Sequence, residues 1–175
     1  MDARKIADYI LSKINTEAGD SITNLKLQKV LYYTQGWALA VLGKPLFDEE
    51  IEAWKYGPVV PSIYHAFKMF GDGAILPTRD LAPLTSDISI EIISLIDQVW
   101  DRYGEMSGVA LMKKTHRETP WLDAYDCDVS SKPISKADMR AYFLCEQESL
   151  IRESGLGPPD METAQSIEKT LAAHA

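Results

Sequence analysis

The stretch LKLQKVLYYTQGWALAVL, residues 25–42, decides the fold class of this chain. Its side chains recur with helical spacing in two neighbouring stripes, which are Leu27, Leu31, Thr34 and Ala38 in one and Val30, Tyr33, Trp37 and Val41 in the other. A helix with so wide an apolar arc is typical of one that packs on several sides. Thr23 or Asn24 can cap its start, and Gly43 with Pro45 ends it. We therefore predict a central helix.

Gly36 lies in the middle of this predicted helix. A glycine inside a helix costs about 1 kcal/mol relative to alanine, because its backbone has more freedom to lose. The cost is tolerable where another group has to approach the helix closely. We therefore predict close packing against Gly36.

Helical spacing of apolar residues also recurs on both sides of the central helix. In the first segment Ile6, Ile10 and Ile14 share one face, and Asp2 can cap its start. Pro61 suits the first turn of a later helix. The helices predicted besides the central one cover residues 3–15, 61–70, 87–103, 107–116 and a segment that starts near residue 136.

Residues 50–56, EIEAWKY, alternate in character and are rich in side chains that favour strands. We predict a short strand there and a turn at Gly57 and Pro58. The predicted fold class is thus mainly α, a compact multi-helix domain with a small β element near residues 50–56.

Glycines and prolines at positions 155, 157, 158 and 159 interrupt any helix that reaches them. We predict one domain over residues 1–154 and a C-terminal tail over residues 155–175. The tail carries an apolar stripe with helical spacing, which favours a short helix.

The overall composition excludes several classes of protein. A formal net charge of −8 argues against a general nucleic-acid binder, which normally carries a basic face, and suits solubility or a basic protein partner. The N-terminal run MDARKIADYILSKI has charges within its apolar pattern, so it predicts neither a signal peptide nor a membrane span. Cys127 and Cys145 lack the spacing of a metal site and are expected as free, buried or half-buried thiols. These observations predict a cytoplasmic protein.

The sequence carries no motif typical of catalysis or metal binding. His65 and His116 stand without a second histidine at i+4 or a nearby Cys-x-x-Cys, so the sequence predicts no metal site. It contains neither a phosphate-binding Gly-x-x-x-x-Gly-Lys loop nor a Gly-x-Ser-x-Gly elbow. We therefore predict no cofactor, no catalytic residues and no enzyme activity.

Three sequence blocks, in this order, carry the most specific signal in the chain. The first is LKLQK at 25–29, followed by YY at 32–33 and QGW at 35–37. The second runs from GKPLF at 43–47 through IEAWKYGPVVP at 51–61 to Tyr64. The third joins Leu111 to THRE at 115–118 and PW at 120–121. Together they resemble the Panacea antitoxin domain, the SocA-type family, over roughly residues 3–145.

The resemblance implies a mostly helical domain that neutralises a cognate toxin by protein–protein contact. Family members face toxins of unrelated folds, which favours a binding scaffold over an enzyme. An alternative implied by the resemblance is an adaptor that delivers the bound toxin to an ATP-dependent protease, and an enzyme with an unfamiliar site is a less favoured third hypothesis. The tail is short and not basic, so no nucleic-acid binding is expected of this chain alone.

Trp54 and Tyr56 lead the candidate partner-binding residues. On a strand the two share one face, while Lys55 points away. Aromatic residues are enriched at binding hot spots, but the same pair can equally cover the core. Gly57 and Pro58 would hold the pair at a fixed angle.

Two further groups complete the set of candidate contacts. Those on the central helix are spaced at i, i+3, i+7 and i+10, and they are Lys26, Lys29, Tyr33 and Gly36. For the two lysines, plain solvation is the favoured interpretation, and a partner contact is the alternative. His116 and Trp121 flank Pro120, and they either hold a corner of the fold or contact the partner.

Overall fold

The computed structural model describes residues 1–15, 20–76, 88–129 and 131–154. These parts contain seven helices and three short strands, which confirms a mainly α fold with a small β element. The helices are α1 Ala3–Ser12, α2 Asn24–Val41, α3 Pro61–Phe67, α4 Ile90–Tyr103, α5 Gly108–Thr115, α6 Thr119–Ala124 and α7 Lys136–Glu153. The strands are β1 Glu52–Trp54, β2 Gly57–Val59 and β3 Lys132–Pro133, and a 3₁₀ turn, Lys68–Phe70, follows α3.

Helix α2 is the centre of the domain, as predicted. Every residue from Leu27 to Leu39 is buried, including the polar side chains of Gln28, Lys29 and Gln35. Helices α1, α3, α4 and α5 and strand β2 all pack against it. A helix enclosed on so many sides has no solvent-facing stripe, which explains why its sequence is apolar around most of its circumference.

The ends of the first two helices follow their capping residues. The Asp2 carboxylate accepts a hydrogen bond from the Arg4 backbone N–H at 2.7 Å, and α1 begins at the next residue, Ala3. The Thr23 hydroxyl accepts one from the Lys26 backbone N–H at 3.3 Å at the start of α2. These bonds satisfy donors that the first turn of a helix leaves free.

Gly36 is in close contact with the ring of Phe143, a residue of α7 that is only 1% exposed. A Cβ atom at position 36 would overlap that ring and lie 2.6 Å from its Cζ atom. The same ring packs edge-to-face on Trp37, with centroids 5.3 Å apart, and on Tyr32 at 5.7 Å. The close approach predicted at Gly36 is therefore confirmed.

The three strands form one antiparallel sheet in the order β2-β1-β3. Trp54 pairs with Gly57, so Lys55 and Tyr56 form a two-residue turn between β1 and β2. The prediction of a strand over 50–56 and a turn at Gly57 and Pro58 was wrong in detail, because both of these residues belong to β2. Gly57 has a φ of 94°, a value that glycine adopts without strain, and the turn lies two residues earlier than expected.

Met1–Leu144 form one compact unit, and the described residues from Cys145 onward belong to a second. The predicted tail of residues 155–175 lies outside the described residues. Cys127 and Cys145 are free thiols, but both are exposed and not buried. Cys127 follows α6 in a surface loop, which explains its exposure.

Candidate functional site

A cleft of about 720 Å³ opens beside the β1–β2 hairpin, between the start of α2, the start of α5, and the second half of α3 with the 3₁₀ turn that follows it. We call it the hairpin groove. Its walls are largely apolar, and the residues that form them include Leu25, Trp54, Tyr56, Val59, Val109 and Met112. A concave, apolar site of this size is where a protein of unknown activity most often binds its ligand or partner.

A chain of hydrogen bonds ties the groove to the start of α2. The Asn24 side-chain amide donates to the backbone oxygen of Tyr64 at 3.0 Å, and it accepts from the Gln28 side-chain amide at 2.9 Å. The Gln28 side-chain oxygen in turn accepts from the backbone N–H of Val60 at 2.9 Å. Because Asn24 and Gln28 are both buried, these bonds are shielded from water and hold α3 and the end of β2 at a fixed position.

Lys29 lies under the hairpin and is completely buried. Its ammonium donates to the backbone oxygen of Pro58 at 2.8 Å. Burial lowers the pKa of the Lys29 ammonium to about 7, because the charged form loses its hydration. The favoured prediction of plain solvation for this lysine is therefore wrong.

Gly57 is the point where the hairpin passes closest to Lys29. A Cβ atom at Gly57 would lie 2.8 Å from Cε of Lys29 and 2.7 Å from the hydroxyl oxygen of Thr115. Its positive φ adds a second reason for glycine. The backbone of β2 thus rests directly on α2 and α5.

The two aromatic residues of the hairpin have different environments. Trp54 is half-buried, with its ring edge-to-face on Tyr64 at 4.9 Å and its indole N–H donating to Glu52 at 2.7 Å. Tyr56 is 60% exposed at the turn, and the Lys55 ammonium lies 5.7 Å from its ring centroid. The two rings are not a stacked pair on one strand face, because the strand ends at Trp54.

The corner around Pro120 supports the hairpin from the α6 side. The Trp121 ring stacks between His116, at 4.0 Å, and Tyr125, at 4.5 Å. Its indole N–H donates to the backbone oxygen of Trp54 at 3.0 Å. Burial lowers the pKa of the His116 imidazole, and the nearby Lys29 charge lowers it further. These contacts are those of a corner that holds the fold together, and a partner contact by His116 or Trp121 stays a prediction.

Glu118 is a buried residue that the sequence did not single out as a site residue. Its carboxylate accepts from the Tyr33 hydroxyl at 2.9 Å and pairs with the Lys114 ammonium at 3.2 Å. Burial raises the pKa of the Glu118 carboxyl and that of the Tyr33 hydroxyl. The Tyr33 ring also stacks on Tyr103 with centroids 4.0 Å apart. The only signal in the sequence was the place of Glu118 in the THRE block.

The structure therefore places the ten candidate contacts in different environments. Lys29, Trp54, Lys55 and Tyr56 line the hairpin groove, and Pro58 accepts the Lys29 hydrogen bond beside it. Tyr33 and Gly36 lie in the core, and their role in partner binding stays a prediction. Lys26 is half-buried on α2, where its ammonium donates to the backbone oxygen of Gly104.

Within the described residues, one group of side chains has the spacing of a metal site. It consists of Asp126, Cys127 and Asp128, whose ligand atoms lie within 4.8 Å of one another. The Asp126 carboxylate already pairs with the Lys132 ammonium at 2.7 Å, and this contact lowers the pKa of Asp126. The group is a surface loop with its own ion pair, and its geometry selects no metal. None of the described helices has the length and apolar character needed to cross a membrane.

Comparison with known proteins gives two matches. A protein-family model described as "Antitoxin SocA-like, Panacea domain" matches residues 27–122, a segment that contains the whole hairpin and α5. The chain is also 33% identical over 130 residues to the protein named "Antitoxin SocA" from Caulobacter vibrioides (strain NA1000 / CB15N). That alignment covers 69% of this chain and 69% of the relative. No solved structure gives a significant match.

Proposed function

Because this chain belongs to the family of SocA-like antitoxins with a Panacea domain, we propose that it neutralises a cognate toxin by direct protein–protein contact at the hairpin groove. Family membership supports an antitoxin role, a toxin partner and a non-enzymatic mode of action. Neutralisation by contact needs no cofactor, since occupying the toxin's surface is sufficient to block it.

The observation that carries this proposal is an aromatic surface held rigidly over an apolar cleft. Tyr56 is largely exposed, Trp54 is half-buried, and both line the groove. Aromatic side chains dominate binding hot spots because they bury a large area at a small cost in conformational entropy. The hairpin is fixed by the Lys29 and Gln28 hydrogen bonds, so little ordering is left to be done when a partner binds.

The Trp54→Ala variant tests the proposal. We expect its toxin affinity to fall by at least about 2 kcal/mol, or about 30-fold in Kd, because a hot-spot ring is lost. The domain is expected to stay folded, since the Trp54 ring is only half-buried. Affinity for the purified product of the adjacent gene is measured by isothermal titration calorimetry, and folding by circular dichroism on heating.

Trp100→Ala is the matched control. Trp100 is also a half-buried tryptophan, but it lies on α4, away from the groove lining. Equal affinities of the two variants would show that the groove is not the contact surface. Loss of the cooperative melting transition in Trp54→Ala alone would show that Trp54 serves the core instead.

Delivery of the toxin to an ATP-dependent protease is the alternative function, and truncation after Ser154 tests it. We expect the truncated chain to keep its melting temperature and its toxin affinity, because the truncation leaves the predicted domain, residues 1–154, whole. The half-life of the toxin in cells, with the protease active or deleted, is the measurement. A longer toxin half-life with the truncated chain, seen only when the protease is active, would favour delivery. A truncated chain that fails to fold would show that the predicted boundary is wrong.

A further inference from the structure

Apolar side chains remain exposed within the hairpin groove. Val109 on α5 is 51% exposed and Tyr56 at the turn is 60% exposed, and both face the same cleft as Leu25 and Met112. A contiguous apolar surface of this kind on a soluble domain is typical of an interaction site. Its concave shape favours an inserted side chain over a flat contact.

The charged residues of the groove have a sign opposite to that of the whole chain. The chain carries a net charge of −8, yet the exposed charged residues of the groove lining are Lys55 and Lys68 against Asp72 alone. Lys55 and Lys68 are exposed, and in the described part of the chain neither forms a salt bridge. Two free cations beside an apolar cleft provide electrostatic complementarity to a partner with carboxylates at matching positions.

From this arrangement, and resting on the proposed function, we infer that the hairpin groove binds an acidic segment of the toxin. The segment inserts one large apolar side chain into the cleft, between the wall that contains Tyr56 and the wall that contains Val109. Carboxylates next to that side chain pair with Lys55 and Lys68. The negative charge of the remaining surface repels acidic proteins that lack a segment of this shape. The groove differs from that surface because its exposed charges are mainly positive.

Two other occupants fit the groove less well. Nucleic-acid phosphates would pair with the lysines, but they would leave the apolar walls uncovered and would face a net charge of −8. A second copy of this chain is acidic overall, and its approach would be opposed by the same charge. Competition by an oligonucleotide tests the first of these occupants, and sedimentation of the free protein tests the second.

The decisive variant reverses the charge of both exposed lysines of the groove, Lys55→Glu with Lys68→Glu. The matched control is Lys113→Glu with Arg117→Glu, which changes the net charge equally at two exposed cations outside the groove. Affinity for the purified product of the adjacent gene is measured in about 0.1 M and about 1 M sodium chloride, where the screening length is about 10 Å and about 3 Å. We expect the groove variant to bind roughly 30-fold more weakly in low salt and only about threefold more weakly in high salt, and the control to change by less than about threefold.

The apolar part of the inference has its own pair of variants. Val109→Asp places a charge in the groove, and we expect it to weaken binding at both salt concentrations, because screening cannot restore an apolar contact. Val129→Asp is the control, since Val129 has a similar exposure of 47% and lies in a loop outside the groove. Equal affinities of these two variants would overturn the apolar anchor.

The remaining outcomes separate the inference from the proposed function. If the toxin binds but the Lys55/Lys68 and Lys113/Arg117 variants lose affinity equally, the toxin is acidic in general and the groove assignment is overturned. If the free protein sediments as a dimer that only the groove variant dissociates, the occupant is a second copy and the inference is wrong. If a DNA or RNA oligonucleotide competes with the toxin, the groove is a phosphate site and the inference is likewise wrong. If the wild-type chain forms no complex at all, the proposed function itself fails and the inference fails with it.

Discussion

Replacing Gly36 with leucine is expected to lower the free energy of unfolding of this domain by about 3 kcal/mol or more. Even a Cβ atom at this position would overlap the ring of Phe143, and leucine adds three more heavy atoms to the same buried contact. Overpacking a filled core costs about 1–3 kcal/mol and occasionally more, against a typical total stability of about 5–15 kcal/mol. Urea denaturation followed by circular dichroism measures the loss.

A graded pair of variants shows whether the ring of Phe143 is the cause. Gly36→Ala would gain about 1 kcal/mol at an unhindered helix position, but here we expect it to lose about 2 kcal/mol. In the background of Phe143→Leu, the same Gly36→Ala change is expected to cost less, because the smaller side chain leaves room. The difference is the coupling energy of a double-mutant cycle. A stabilising Gly36→Ala in the wild-type background would show that the ring moves aside freely.

The second large effect expected is a rise in stability with pH that depends on Lys29. The pKa of its ammonium is about 7 in the folded domain and about 10.4 in an unfolded chain. Between these values the unfolded state binds the proton that the folded state has released. The free energy of unfolding therefore increases from about pH 7 upward, by as much as about 1.4 kcal/mol per pH unit. Near pH 10 the rise ends, because the unfolded chain then releases the same lysine proton. Burial raises the pKa of the Tyr33 hydroxyl, so above that pH the folded domain holds a proton that the unfolded chain loses, and stability falls.

Comparison of wild type with Lys29→Met isolates this contribution. Methionine has a similar length and no titrating group, so we expect the difference in unfolding free energy between the two proteins to change by about 3 kcal/mol from pH 7 to about pH 9.5. His116, whose pKa burial and the Lys29 charge both lower, is mostly neutral above pH 7 in either protein, and groups that do not sense Lys29 cancel. Lys113→Met, at an exposed lysine on α5, is the control and should show no such change. A pH-independent difference for Lys29→Met would mean that water reaches the ammonium in the folded domain.

Local sequence rules predicted the helices well because their determinants lie within a few residues of one another. Asp2 and Thr23 cap the helices that they were predicted to cap, and the wide apolar arc of residues 25–42 predicted a buried central helix. The hairpin was misplaced because a glycine–proline pair is a common turn signal. Here Gly57 instead follows the turn, and its position is set by packing on Lys29 and Thr115.

The environment of the candidate site depended on contacts between distant residues, which no local pattern reveals. Lys29 was predicted as solvated or as a partner contact, but its hydrogen-bond acceptor, Pro58, lies 29 residues further along the chain. Glu118 becomes a buried acceptor only because Tyr33, 85 residues away, reaches it from α2. The groove was missed for the same reason, since Leu25 and Val109 share a wall only after α5 has packed on α2.

The attachment of the hairpin to α2 also restricts how this protein can diverge in evolution. Asn24, Gln28 and Lys29 shape the groove from inside the core, so a substitution there affects folding and binding together. Exposed positions such as Lys55 and Val109 are under no such double constraint, because surface substitutions usually change stability by less than about 0.5 kcal/mol. Descendants that acquire a new toxin are therefore expected to differ mainly at the turn and the start of α5, while the buried supports beneath them keep their residues.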